Sequence, residues 1–482
     1  MSRTKVNRSV DQIEGEDLVL FINACFTCTQ QKEFYDTQLT QTLSIDFLHE
    51  YILGNYRRLY ALTLASGINH FNKCLVIQNL LSAGSPEMEE DKAEEAALIK
   101  VALQQIPVNR VFNLFGQLKK RRVNNRRTRA VIKRYLESRN NLAFDAVKYR
   151  SKLRNAILHA HIKIPHETGA FLFDDSVESF VTPIFDSFRR AKYSQQAIYG
   201  LPYTVAESFA QRHGVPRPSF LKKIEGNLTQ QERLRLQASA AREKKTAIDL
   251  DFGAVSLTKL LLYWLSLDVE RRLVLKDQFE SALGVHATKL SRGTNIADEK
   301  IALVADRSYS MWGSSDKKRR PLAIVFGIHQ ILRRVAKSYG VFWSTPVKDA
   351  MNLTAAGQTN IVGPFIEALK AKPDVILIVS DGYENDPTGL TGRVYDAWRG
   401  IDGIDHQVRV LHLNPVYHAE SYDVKPLSNN ITSVGIRNVE DLPVTLEYGR
   451  FASGQASLGT LEKYLRGKLS ENEMNTKLSY EN

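Results

Sequence analysis

The chain has 482 residues and an apolar fraction of 43%, which suits two or three packed domains and excludes a disordered protein. A formal net charge of +12 at pH 7 favours a polyanionic partner over a basic one. Three cysteines, Cys25, Cys28 and Cys74, are too few for a disulfide framework and fit a reducing cytoplasm.

The opening MSRTKVNRSVDQ has no apolar run, so no secretory leader is expected. Cys25 and Cys28 form one C-x-x-C with no second pair and no His at zinc spacing, and core packing is expected for them. From Glu16 to about Val285 the pattern is helical with short breaks. Residues 62–82, LTLASGINHFNKCLVIQNLLS, place apolar side chains three and four apart, as do 96–105, 108–118, 129–136 and 142–148. No repeat of fixed period is present, but segments of this length suggest stacked helix pairs. The acidic stretch 83–92 reads as an exposed loop, and 214–245 as a loop with a surface helix. The most apolar window, LTKLLLYWLSL at 257–267, is shorter than the roughly 20 residues that cross a membrane, and reads as a buried helix.

Within this helical half the charge is concentrated. Between positions 119 and 154 lie Lys119, Lys120, Arg121, Arg122, Arg126, Arg127, Arg129, Lys133, Arg134, Arg139, Lys148, Arg150, Lys152 and Arg154, against only Glu137 and Asp145. That single segment accounts for the whole surplus. A solvated face normally mixes signs, whereas a block of one sign repels itself unless an anion offsets it. Polyphosphate backbone is the expected anion.

After residues 291–295 strands alternate with helices. Strand 301–305 precedes a helix at 321–339, with Pro321 in its first turn and Gly340 as its cap. Strand 341–344, helix 361–371, strand 375–379, helix 393–399 and strand 407–413 follow, the pattern of a parallel sheet covered on both faces. The tail 468–482 reads as flexible.

The first strand of this half delivers Asp306, Ser308 and Ser310 as D-x-S-x-S; a later loop carries Thr359, and DVILIVSDGYEN sets Asp381 past a second apolar strand. All five offer hard oxygen donors, which Mg²⁺ or another hard divalent cation prefers. Beyond the carboxyl ends of neighbouring parallel strands they would converge on one ion, with Ser308, Ser310 and Thr359 bound directly and the carboxylates bound directly or through water. The pattern is similar to the metal-ion-dependent adhesion site of von Willebrand factor A domains. No glycine-rich phosphate loop, positioned base or partnered nucleophile is evident, so no catalysis is expected.

The two halves together resemble the Ro autoantigen family, built on the TROVE module. The resemblance rests on residues 113–162, NLFGQLKKRRVNNRRTRAVIKRYLESRNNLAFDAVKYRSKLRNAILHAHI, and on the metal-site motif. It implies a HEAT-like helical-repeat ring at 16–290, a doubly wound, Rossmann-like von Willebrand factor A domain at 296–467 and a flexible tail at 468–482. It also implies non-catalytic binding of small noncoding RNA resembling Y RNA, and of single-stranded RNA ends passing through the ring. The contacts carried over are Lys148, Tyr149, Arg150, Lys152, Arg154 and one of His159 or His161. The family's glycine-rich, tyrosine-bearing segment near the start of the ring is replaced by residues 26–37, FTCTQQKEFYDT, and the spacing between the KY motif and the His is shorter. The expected protein is a monomer acting in RNA quality control or as a scaffold to an exoribonuclease. The alternative is a Mg²⁺-dependent protein-interaction module that captures a partner's acidic residue.

Overall fold

A computed structural model describes residues 9–242, 249–292, 295–401, 408–453 and 457–481. In chain order the helices are α1 (Val10–Thr27), α2 (Gln38–Asn55), α3 (Arg57–Leu62), α4 (His70–Ser82), α5 (Glu89–Gln105), α6 (Val108–Lys120), α7 (Arg126–Glu137), α8 (Leu142–Lys148), α9 (Arg150–Ala160), α10 (His166–Phe173), α11 (Pro183–Arg190), α12 (Tyr203–Arg212), α13 (Arg217–Ile224) and α14 (Gln230–Arg242). There follow α15 (Leu257–Ser266), α16 (Val269–Ser291), α17 (Arg320–Val335), α18 (Val362–Lys370), α19 (Leu390–Arg399), α20 (Leu442–Ala452) and α21 (Leu458–Glu481). The strands are β1 (Lys300–Ala305), β2 (Ser338–Trp343), β3 (Val375–Val379), β4 (Arg409–Asn414), β5 (Tyr417–His418), β6 (Asp423–Val424) and β7 (Thr432–Gly435). A helix-rich region and an α/β region with a parallel sheet are both present, as the sequence patterning implied.

The chain divides into two units, though not at the boundary expected between 290 and 296. Met1–Asn72 joins Ser256–Asn475 in the first, and the second is built on Lys73–Val255. In the first unit five parallel strands lie in the order β2-β1-β3-β4-β7, while β5 and β6 pair antiparallel. β1 and β3 are buried along almost their whole length because both sheet faces are covered. Ala302, Val304, Ile376 and Ile378 pack with Ile361, Phe365 and Ala368 around α18, and α17 lies against β1 and β2, backed by α15 and α16.

The N-terminal helix belongs to this same core. Leu18, Phe21, Ile22, Ala24 and Cys25 of α1 are wholly buried, and α1 lies against β6 and β7. Asn23 fixes the register: its amide donates to Asp423 at 2.5 Å, and its oxygen accepts from the Gly435 nitrogen at 2.5 Å. A side chain at 435 would meet the Asn23 carbonyl at 2.8 Å, so only glycine allows this approach. Cys25 and Cys28 are free, buried core residues, and burial pushes the Cys28 thiol up to about 12.

In the second unit α6 packs on α9, α9 on α7 and α8, and α7 on α5. The apolar stripe of α6, Val111, Phe112, Leu114, Phe115 and Leu118, is buried, while Lys119 and Lys120 at its end are exposed. Phe115 and Tyr135 meet edge to face at 5.5 Å, tying α6 to α7.

Four local expectations are corrected. The stretch 62–82 is broken by a turn at Gly67, whose φ of +87° no helix accommodates. α5 starts at Glu89, inside the stretch read as a loop, because Glu89, Glu90 and Asp91 favour the positive end of a helix. α17 ends at Val335, since Tyr339 and Gly340 pair with Ile301 and Ala302; Gly340 is a strand residue and not a cap. The tail continues α21 and is helical through to Glu481, with Lys468 paired to Glu447 and Glu471. Gln407, the expected start of the last strand, lies outside the described residues.

Candidate functional site

The site in the first unit follows from strand order. The chain leaves β1 to form β2 on one side of it and returns to form β3 on the other, so β1 and β3 flank a switch point. Ala305 is in register with Val379, and the Asp306 nitrogen donates to the Val379 carbonyl at 3.0 Å. Asp306 and Asp381 therefore leave the sheet side by side. Asp306 Oδ1 accepts from the Ser308 nitrogen at 2.8 Å and from Ser344 Oγ at 3.1 Å, while its Oδ2 accepts from Ser308 Oγ at 3.1 Å. Ser308 and Ser310 hydroxyls lie 3.2 Å apart, and the Tyr383 nitrogen donates to Asp381 Oδ1 at 3.0 Å.

Thr359 flanks this cluster on a loop stitched to both others. The Tyr309 nitrogen donates to the Gly357 carbonyl at 3.1 Å, and the Thr359 nitrogen to Asn385 Oδ1 at 3.0 Å. All five side chains are buried. Gly382 turns the chain directly after Asp381 with φ of +79°.

Electrostatics set what this arrangement can hold. Burial, then the Asp381 charge, pushes the Asp306 carboxyl up to about 7, and burial raises Asp381 as well. Asp381 Oδ2 is buried with no hydrogen-bond partner. Two buried carboxylates with an orphaned oxygen and three hydroxyls form a donor set that a hard divalent cation satisfies, since one ion offsets both charges and takes the free lone pairs. The carboxyls number only two; among the described residues no group of three or more His, Cys, Asp or Glu gathers as a metal cluster.

The second unit carries a cleft of about 1110 Å³. It is lined by Val108, Arg150, Thr204 and Gln231, each the first or second residue of a helix, so α6, α9, α12 and α14 all turn their N-termini towards it. Lys148, Lys152, Arg154, Arg212 and Arg235 line it too, and among the described residues Glu232 is its one carboxylate. Glu232 is already committed to Thr229 at 2.9 Å and Lys148 at 3.4 Å. Helix dipoles and cations thus aim positive potential at one cavity, which is the requirement for holding an oxyanion.

The remaining block residues lie elsewhere, and the basic run is two features. Lys119, Lys120, Arg121 and Arg122 gather at the carboxyl end of α6, about 18 Å along that helix from the cleft. There they offset the negative end of the helix. Arg126, Arg129 and Lys133 share one exposed face of α7. Arg127 is drawn inward by buried Glu95, and Arg150 is shared between Asp175 at 2.8 Å and the Phe171 ring. His159 bonds the Val123 carbonyl at 2.9 Å, and His161 caps the far end of α9 with φ of 51°. Neither histidine is among the residues that line the cleft with Lys148.

Sequence reading missed Ser344, Arg212 and Arg235, which sit far from the motifs and reach the two sites only through the fold. No family model and no curated protein matches this chain.

Proposed function

We propose that this protein is a non-catalytic RNA-binding protein of the Ro type, with a HEAT-like helical domain that holds RNA and a von Willebrand factor A-like domain that holds Mg²⁺. The observation that carries the reading is the cleft, where four helix N-termini and six cations face Glu232, the one carboxylate among its described lining residues, which Lys148 and Thr229 already engage. Its size exceeds what a single phosphate fills, and Tyr149 on its wall offers a ring for a base. A single-stranded end, with accessible phosphates and unstacked bases, suits it better than a uniform duplex. Small noncoding RNA and the ends of misfolded RNA are the ligands this supports, in RNA quality control or as a scaffold to an exoribonuclease. The cation site would take Mg²⁺ on Ser308, Ser310, Thr359, Asp306 and Asp381, and its role is to neutralise the paired carboxylates and join three loops.

The test is filter binding of a small structured RNA with a free single-stranded end, with and without excess duplex DNA. Tight binding that duplex DNA fails to displace supports the reading, and equal displacement removes it. A second reading, capture of a partner's acidic residue by the bound cation, draws on the orphaned Asp381 oxygen. It predicts a protein complex that chelation dissolves.

A further inference from the structure

The segment between α1 and α2 is anchored beside the loops of the cation site, and its anchoring is too specific for a passive linker. Its start is fixed where Asn69 and Asn72 donate to the carbonyls of Cys25 and Cys28, at 2.7 to 3.1 Å. In its middle Glu33 forms an ion pair with Lys317, both side chains being almost wholly buried. The neighbouring Lys32 carbonyl accepts from Ser314 Oγ at 2.6 Å. Its end is held where Asp36 accepts from the Ala419 nitrogen at 2.9 Å and from Gln41 at 3.1 Å. Ser314 and Lys317 directly follow the D-x-S-x-S turn. A buried ion pair brings little net stability but fixes geometry, so this pair sets where the segment lies more than how firmly the unit folds.

What the anchors position is Tyr35. Its ring stacks on Tyr383, two residues beyond Asp381, with centroids 3.8 Å apart. That stack sets its phenol close enough to the site for Asp381, Ser310 and Asp306 to act on it. Lys425 lies 3.6 Å from the Tyr383 centroid and completes the stack. The five side chains of the site leave at least one position open on an octahedral ion, which takes roughly six oxygens. Tyr35, stacked beside the loop that carries Asp381, is placed to fill it.

Resting on the cation site proposed above, we propose that Tyr35 is a further residue of that site: its phenol covers the outer coordination position and excludes both bulk water and a carboxylate from outside. The segment is a built-in substitute for an external ligand. This favours a cation that locks residues 29–36 to the sheet over one that captures a partner.

Mn²⁺ in place of Mg²⁺ on the full-length protein tests this, read by water-proton relaxation. Binding is measured first from the free Mn²⁺ resonance, for wild type, Tyr35→Phe and Tyr35→Ala. The expected result is equal Mn²⁺ occupancy in all three, with a clearly larger relaxation enhancement per bound ion in Tyr35→Ala as water gains the outer position. Added acetate should then lower that enhancement in Tyr35→Ala and leave wild type unchanged. Tyr35→Phe keeps the stack, so a smaller rise there assigns part of the effect to the hydroxyl. Equal enhancement at equal occupancy, or acetate sensitivity already present in wild type, overturns the role of Tyr35 while leaving the cation site standing. No Mn²⁺ binding to wild type overturns both.

Discussion

Cutting the protein at the boundary its sequence suggests should leave the α/β half unable to fold. Residues 295–467 contain every strand among the described residues, and strand–helix alternation alone implies that they stand by themselves. The structure places Leu18, Phe21, Ile22 and Phe26 of α1 inside that core, each 0–4% exposed. Burying four such side chains is worth roughly 6–12 kcal/mol, at about 1.5–3 kcal/mol each. That approaches the about 5–15 kcal/mol by which a whole domain is stable. Losing α15 and α16 adds to the deficit, because Trp264 stacks on Phe279 at 4.0 Å beneath α17. Removal of α1 also strands buried Asp423, whose carboxyl burial raises to about 7 and Asn23 partners. The assay is urea unfolding followed by far-ultraviolet circular dichroism. Residues 295–467 should show no cooperative transition, whereas residues 9–72 joined through a flexible linker to 256–475 should show one. A cooperative transition from 295–467 alone, with a midpoint near that of the full chain, would refute the reasoning.

Three further outcomes are expected. Mg²⁺ at about 100 times its dissociation constant should stabilise the full chain by about 2.7 kcal/mol, seen as a raised thermal midpoint, and Asp306→Ala should abolish that response. His49 is buried between Tyr60 and Asn72, and burial lowers its pKa to about 4. The unfolded chain therefore binds a proton below about pH 6.5 that the folded chain refuses, so stability falls as pH drops from 6.5 towards 4, by about 2 kcal/mol at pH 5. His49→Gln should lack that loss in paired urea titrations at pH 7.5 and 5, whereas an identical loss in both proteins would show that His49 is not its source. Glu33→Gln leaves Lys317 buried without its counter-charge and should cost about 3–5 kcal/mol by urea unfolding; a loss below about 1 kcal/mol would mean that the pair is hydrated.

The α/β half was legible because burial on both faces writes itself as unbroken apolar runs. The run at 375–379 coincides with β3, and 301–305 falls one residue short of β1. The D-x-S-x-S and DG motifs were legible for the same reason, each lying where such a run stops. Partners that arrive from a distance were not. Nothing in LVLFINACF announces that Asn23 will meet Gly435, and Tyr35 gains its neighbours only when the segment before α2 folds over the sheet. The charge block misled in a different way. Composition counts cations, while only geometry shows that Arg127 answers Glu95 and that Lys119–Arg122 offset a helix end.

That geometry also decides which substitutions test RNA binding. Changing Arg127, Lys148 and Arg150 would break ion pairs to Glu95, Glu232 and Asp175 and confuse stability with affinity. Lys152, Arg154, Arg212 and Arg235 line the cleft and have no carboxylate partner among the described residues. The most direct measurement is the affinity of the fourfold Gln variant for a structured RNA with a single-stranded end, across a salt series. Each cation–phosphate pairing removed should flatten the plot of log affinity against log salt by roughly 0.7, so about 2.8 for all four. The account predicts that flattening with an unchanged thermal midpoint. Wild-type affinity and slope in the variant would contradict it and leave the cleft as a solvated surface.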